Sequence, residues 1–445
     1  MSAVFDELCA QLRQALPTAL TGRVVRTTGQ LAAVADFPAP VGALVSIERS
    51  GNAPLAAEVI GFRDDLTLVA LLDDGQGLRH GNHVRLVKTA RFVRVGDALL
   101  GRVINAQGNC IDGRPQPALL HRAALERSAP PATARVRCDA PLSTGVRAID
   151  GLLTCAKGQR MGIFAGSGVG KSMTLGMMAR YTAADVNVVA LVGERGREVN
   201  DFLERDLGPG LAKSVVVVAT SDEPPLARVQ AARTATAVAE YFRDAGRHVL
   251  LIMDSLSRLA LAQREIGLAA GEPPTTRGFP PSVFALLPKL LERAGRTAQG
   301  SITGFYSVLV EGDDPNEPVA DTVRGLLDGH TWLSRKLAAR GHYPAIDILQ
   351  SASRLMFDVA DARHQDAAAR LRELAAAYAE HEDMITLGAY RPGTSPAVDR
   401  AVQFRDEINQ YLRQRVDEPS NVEAAREALV QLVRRSDAAP TSAAA

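Results

Sequence analysis

The stretch "FAGSGVGKSM", residues 164–173, decides how this chain of 445 residues is to be read. Ala165 to Ser172 keep phosphate-loop spacing, with Ala in the first glycine position. Three glycines let the backbone curl, so that N–H groups of Gly166, Ser167, Gly168, Val169 and Gly170 turn toward phosphate oxygens. Lys171 can reach the β- and γ-phosphates, and Ser172 can hold Mg²⁺. An apolar strand leads in at 161–165 and a helix leads out from Lys171, adding its positive end. The pattern predicts a site for ATP with Mg²⁺.

Working outward, strands and helices alternate from about 140 to 360. Strands are expected at Met161–Ala165, Val186–Val192, Ser214–Thr220, Val249–Met253 and Ser301–Val310. Helices are expected at 171–182, 224–245, 255–269 and 281–294. Such alternation predicts an α/β core, a parallel sheet covered on both faces. "HVLLIMDS" ends a buried strand on Asp254, where an acid can hold Mg²⁺ through water or cap the next helix at Ser255. "VNVVALVGERGRE" ends on Glu194, at the strand end where open parallel sheets bind ligands. Glu194 is a candidate base for a water facing the γ-phosphate, and Arg195 a candidate for neutralising its charge. Spacing alone leaves open a surface ion-pair cluster of Glu194, Arg195, Arg197 and Glu198.

The flanks differ in texture. Residues 22–92 hold short Val-, Ile-, Leu- and Thr-rich runs between Gly, Asn, Asp and Pro, which predicts a small β-barrel. "VGDALLGRVINAQGNCIDGRP", 95–115, adds strand and turn material, and "RSAPPATAR", 127–135, reads as a linker. Val4, Phe5, Leu8, Leu12 and Leu16 make one helical face, either packed on its own domain or docked on a partner. Beyond 361 the periodicity is helical, and "SDAAPTSAAA" is expected to be disordered.

Composition narrows the class. Net charge is +1 and aromatics are 4%, which argues against a nucleic-acid binder. The four cysteines and eight histidines lack metal-ligand spacing. Early Asp6 and Glu7 make a signal peptide unexpected, and the longest apolar runs are far too short to span a bilayer. Reduced thiols and a cytoplasmic setting follow as expectations.

Longer motifs carry a resemblance. "FAGSGVGKS", "VGERGREVNDF", "SDEPPLARVQAARTATAVAEYFRD", "AQREIGLAAGEPPTTRGFPPSVFALLPKLLERAG", "VEGDDPNEPVADTVRGLLDGH" and "GHYPAIDILQSASRLM" resemble the export ATPases of flagellar and virulence type III secretion systems. These are related to the catalytic subunits of rotary ATP synthases. The resemblance runs from about 20 to 415. It implies a β-barrel (19–92), a RecA-like ATPase core (93–360) and a helical C-terminal domain (361–435), between the amphipathic docking helix (1–18) and the disordered tail (436–445) that residue pattern alone suggests. It further implies a homohexamer with ATP between neighbours. Glu194 matches the catalytic glutamate, Arg354 the arginine finger that enters the next subunit's site, and Tyr343 the aromatic residue packed on adenine. The loop 272–282 would face a central pore and a coiled-coil stalk protein.

Other implied partners are a stator-type regulator at the N-terminal helix, the export gate at the inner membrane, and substrate–chaperone complexes. "VRGLLDGH" and "ARGHYPAID" look flagellar, with the injectisome branch as the alternative. A Rho-like translocase and a non-hydrolysing ring subunit are the competing functions. The residues alone leave Arg354 open as a structural ion pair, and "VEGDDPNEP", 310–318, as a solvated turn.

Overall fold

The computed structural model describes residues 20–49, 52–310, 312, 314 and 317–439. The helix expected at 1–18 lies outside them, as do residues 440–445 of the expected tail. Six strands close a barrel in the order β1-β2-β5-β4-β3-β6: β1 (Thr21–Thr28), β2 (Leu31–Ala35), β3 (Leu44–Arg49), β4 (Asn52–Arg63), β5 (Leu66–Leu71) and β6 (His83–Lys88). Val24, Val34, Val45, Ile47, Val59, Val69 and Val84 fill its interior and are fully buried. Branched residues at alternate positions suit this, since a closed sheet needs one apolar face and has no edge to protect.

The strand material at 95–115 leaves the barrel. β7 (Phe92–Val95) pairs with β9 (His121–Ala124), while β8 (Arg102–Asn105) joins the main sheet parallel to β14 (Ser214–Thr220). Two short strands, β10 (Pro141–Leu142) and β11 (Cys155–Ala156), pair separately.

The main sheet runs β19-β18-β12-β17-β15-β13-β14-β8. Its central strands are β12 (Arg160–Ala165), β13 (Val186–Glu194), β14 (Ser214–Thr220), β15 (His248–Asp254) and β17 (Ser301–Leu309). β16 (Gly295–Arg296) pairs antiparallel with β17. β18 (Gly329–Leu333) and β19 (Ile346–Ser353), which the sequence pattern did not announce, extend the sheet beyond β12, with β19 antiparallel at the edge. β13 is buried at every position. A strand covered on both faces reads as a near-continuous apolar run, which is why these strands were legible. Helices Lys171–Tyr181, Pro225–Asp244, Leu256–Ala270 and Pro281–Leu291 lie where helices were expected, the last ending three residues earlier.

Four helices, Ala362–Thr386, Pro396–Gln403, Arg405–Leu412 and Val422–Ala438, pack on the core through Leu371, Leu374, Leu429 and Val430. The last helix corrects the expected boundary of the disordered tail. It carries through Ser436, Asp437 and Ala438, because Ser436 is buried with its hydroxyl on the Val433 carbonyl (2.7 Å) and Asp437 meets Arg370 at 3.0 Å. No helix among the described residues is long and apolar enough to cross a membrane.

Candidate active site

The sheet brings three strand ends to one rim. Ala165 at the end of β12 pairs with Leu309 of β17, and Asp254 at the end of β15 pairs with Leu191 of β13, three residues before Glu194. The phosphate loop leaves β12 at this rim. Gly168 and Gly170 take left-handed φ values of 78° and 88°, where a side chain would strain the backbone. Space around Gly168 is open to 4 Å, whereas a Cβ on Gly170 would lie 3.2 Å from the Tyr343 ring. Buried Val169 pins the loop to the core; Ser167 and Gly168 are exposed. Gly170 then caps helix Lys171–Tyr181, so the helix's free N–H groups face the loop's concavity.

Lys171 turns its ammonium onto two acids. It bonds Asp254 Oδ1 and lies 3.6 Å from Glu194 Oε1. Asp254 Oδ1 also accepts the Ser307 hydroxyl at 2.6 Å. Glu194 Oε2 pairs with Arg258 Nη1 at 2.9 Å, and the same guanidinium donates to the Gly193 carbonyl. Glu194 Oε1 is buried and has no hydrogen-bond partner. A buried, unsatisfied carboxylate oxygen is costly, so its place beside Lys171 marks a position for a polar ligand. Burial first, then the hydrogen bond with Glu198 and the Asp254 charge, push the Glu194 carboxyl up to about 7, against the pull of Lys171 and Arg258. An acid so poised can exchange a proton near neutral pH.

The residue set fits nucleotide with Mg²⁺. The open loop, Lys171 and the helix N-terminus form an anion cradle, while exposed Ser172 and buried Asp254 supply the hard oxygens that Mg²⁺ takes alongside substrate phosphates.

Other expected residues fall elsewhere. Arg195 is 78% exposed and leans on Glu198 at 3.5 Å, away from Lys171 and Asp254. The guanidinium on Glu194 belongs to Arg258, which the sequence pattern did not single out. Its signal was an Arg one turn into the helix that follows Asp254. Tyr343 stands against Gly170, half-buried, its carbonyl accepting the Gln414 N–H at 3.0 Å.

Arg354 lies at the far end of β12. Its N–H donates to the Asp328 carbonyl, and Asp328 in turn holds Arg160, the first residue of that strand. Arg160 to Ala165 spans roughly 16 Å at about 3.3 Å per residue. The Arg354 side chain is exposed, so it neither forms a buried ion pair nor meets the phosphate loop of its own chain. The loop 272–282 joins helices Leu256–Ala270 and Pro281–Leu291, and Arg277 on it pairs with Asp314 of the acidic loop at 3.2 Å.

This geometry coincides with a known architecture. Residues 145–353 match the nucleotide-binding domain of the ATP synthase alpha/beta family, and residues 360–431 match the C-terminal domain of the type III secretion ATPase EscN. The flagellum-specific ATP synthase of Bacillus subtilis is 50% identical over 92% of this chain and 94% of its own length.

The chain belongs to the ATP synthase alpha/beta family.

Within that family it falls among the secretion ATPases. The type 3 secretion system ATPase of Xanthomonas euvesicatoria is 49% identical over 92% of this chain and 93% of its own. The assembled EscN ATPase of enteropathogenic E. coli superposes with a TM-score of 0.86 at 45% identity, covering 93% of this chain and 100% of the solved EscN chain, and a second structure holds EscN with its central stalk EscO. This secretion ATPase therefore has the expected barrel, RecA-like core and helical C-terminal region, and its substrate is ATP.

Proposed function

We propose that this ATPase forms a homohexameric ring in the export apparatus of a bacterial flagellum, with each ATP shared between two copies. The observation that carries the reading is the split of the site along β12. The phosphate loop, Lys171, Asp254 and Glu194 gather at one end, and exposed Arg354 stands at the other. In this reading Glu194 orients a water and takes its proton as the water oxygen attacks the γ-phosphorus. ADP leaves as the bond to its β-phosphate oxygen breaks. Lys171 holds the phosphates, a neighbour's Arg354 neutralises the charge that develops, and Tyr343 packs on adenine. Mg²⁺ would be held by Ser172 and, through water, by Asp254, and would neutralise phosphate charge.

The assembled EscN and its stalk complex support the ring and a coiled-coil stalk in the pore, facing the loop 272–282. Pro273–Pro274 and Pro280–Pro281 stiffen that loop. The stator-type regulator, the export gate, the substrate–chaperone complexes and the station at the cytoplasmic face of the inner membrane belong to the same proposal. The flagellar assignment rests on "VRGLLDGH" and "ARGHYPAID". Relatives of both names at nearly equal identity, 50% and 49%, keep an injectisome role as the second reading. Restoring motility to a strain lacking its flagellar export ATPase, or restoring secretion to one lacking the injectisome ATPase, separates the two.

The ring itself is tested by ATPase rate against protein concentration, with light scattering in parallel. Activity per mole should climb as scattering reports assembly. Constant specific activity across a monomeric range sinks the shared site.

A further inference from the structure

Phe357 is the most exposed aromatic in the nucleotide-binding core, at 75% exposure. It lies three residues beyond Arg354, on the short helix Met356–Val359. That segment is held firmly. The Arg354 N–H is bonded to Asp328, Met356 is buried, Asp358 pairs with Arg137, and Gln365 Nε2 donates to the Phe357 carbonyl at 3.1 Å. The fold thus fixes the backbone and sends a large apolar ring outward, within about 10 Å of the finger residue along the chain.

A receiving surface lies beside Glu194. An open cavity of about 590 Å³ is lined by Gly193, Arg195, Arg258, Leu261, Arg264 and Leu268, among others. Leu261 and Leu268 show their side chains to solvent, at 41% and 38% exposure, one side of the helix that also carries Arg258. Its floor is continuous with the active site, because Arg258 and Gly193 both touch or adjoin Glu194. Apolar leucines flanked by guanidinium groups suit an aromatic ring, through burial and through cation–π attraction.

We infer that Phe357 of one copy seats in this cavity of the next, anchoring the subunit seam that brings Arg354 to Glu194. The occupant is a second copy of this chain. Arg354 cannot reach its own phosphate loop, so a copy whose Arg354 approaches a neighbour's Glu194 carries Phe357 to the cavity mouth in the same movement. Phe357 is a positioning residue: it sets how tightly copies hold the shared site. This inference rests on the trans role of Arg354 proposed above.

The test is ATPase rate against protein concentration for the full chain, alongside nucleotide affinity in dilute protein. Phe357→Ala should raise the concentration giving half-maximal specific activity by about ten-fold or more, as loss of a central aromatic anchor does, and leave nucleotide affinity unchanged. Arg354→Ala should instead lower the ceiling of activity. A second measurement fixes the partner: a chain carrying both Phe357→Cys and Leu261→Cys should oxidise to inter-subunit disulfides, against the background of the native cysteines. An unmoved half-activity concentration in Phe357→Ala, or no added disulfide in the double variant, overturns the seat. If Arg354→Ala keeps its full ceiling, the shared-site reading itself fails, and the two failures are told apart.

Discussion

The two ends of β12 make different demands on the chain. At its carboxyl end, backbone and side chains are committed: Gly170 abuts Tyr343, Lys171 is held between Asp254 and Glu194, and Arg258 braces Glu194. At its amino end, Asp328 and Arg160 are paired, yet the neighbouring Arg354 and Phe357 side chains face solvent. One end is a finished phosphate cradle. The other is a rigid platform that presents groups outward. The contrast teaches that one end of the strand is closed on itself, while the other leaves its side chains open to contact, as the proposed shared site requires.

The largest effect should come from the outward end. Arg354→Ala should cut turnover on the order of 10³-fold or more while ATP binding stays near wild type, as for fingers that act on the transition state. Single-turnover hydrolysis beside equilibrium binding measures both, and a parallel loss of affinity would speak against a finger. Next comes the inward end. Glu194→Gln should lower kcat by about 10²–10⁴-fold, the usual worth of a general base. It should also remove a pH limb. Because the Glu194 carboxyl is raised to about 7, it is mostly protonated and idle below that pH, and ionised above it. Wild-type kcat/KM, which reports the free enzyme, should therefore fall about ten-fold per pH unit below 7 and level off above it. A flat wild-type profile from pH 6 to 8 removes Glu194 as the base. The smallest effect belongs to the rim. Tyr343→Ala should weaken ATP binding by about ten-fold, the order of one aromatic contact, with kcat changed little; titration by fluorescence or calorimetry reads it.

Much of the site was legible because it is local. The phosphate loop is a contiguous run, and its glycines are demanded by φ values that Gly168 and Gly170 indeed adopt. β12, β13, β15 and β17 were legible because strands buried on both faces are mostly apolar, their few polar residues being small or hydrogen-bonded, such as Ser307 to Asp254 and Asn187 to the Ala179 carbonyl. β18 and β19 were not: "GHTWL" and "IDILQSAS" mix polar residues into an edge pair that only β12 recruits. Arg195 and Arg258 make the sharpest case. Arg195 is adjacent to Glu194 in sequence, yet the turn into helix Gly196–Asp201 carries its side chain to solvent. Arg258 is distant in sequence, yet β13 and β15 lie side by side, so the first turn after Asp254 falls on Glu194.

By itself, then, the sequence determined the chemistry on offer: a loop able to hold phosphates, acids at strand ends, and an arginine and a tyrosine within longer motifs. Tertiary structure alone decided which of these meet. Strand order put Asp254 and Glu194 on either side of Lys171, brought Arg258 onto Glu194, and set Arg354 a strand's length from the phosphate loop of its own chain. The reason is physical. Residue type and spacing fix local backbone geometry and intrinsic charge, whereas burial, pairing and the raised Glu194 carboxyl arise only when the sheet brings remote segments into contact.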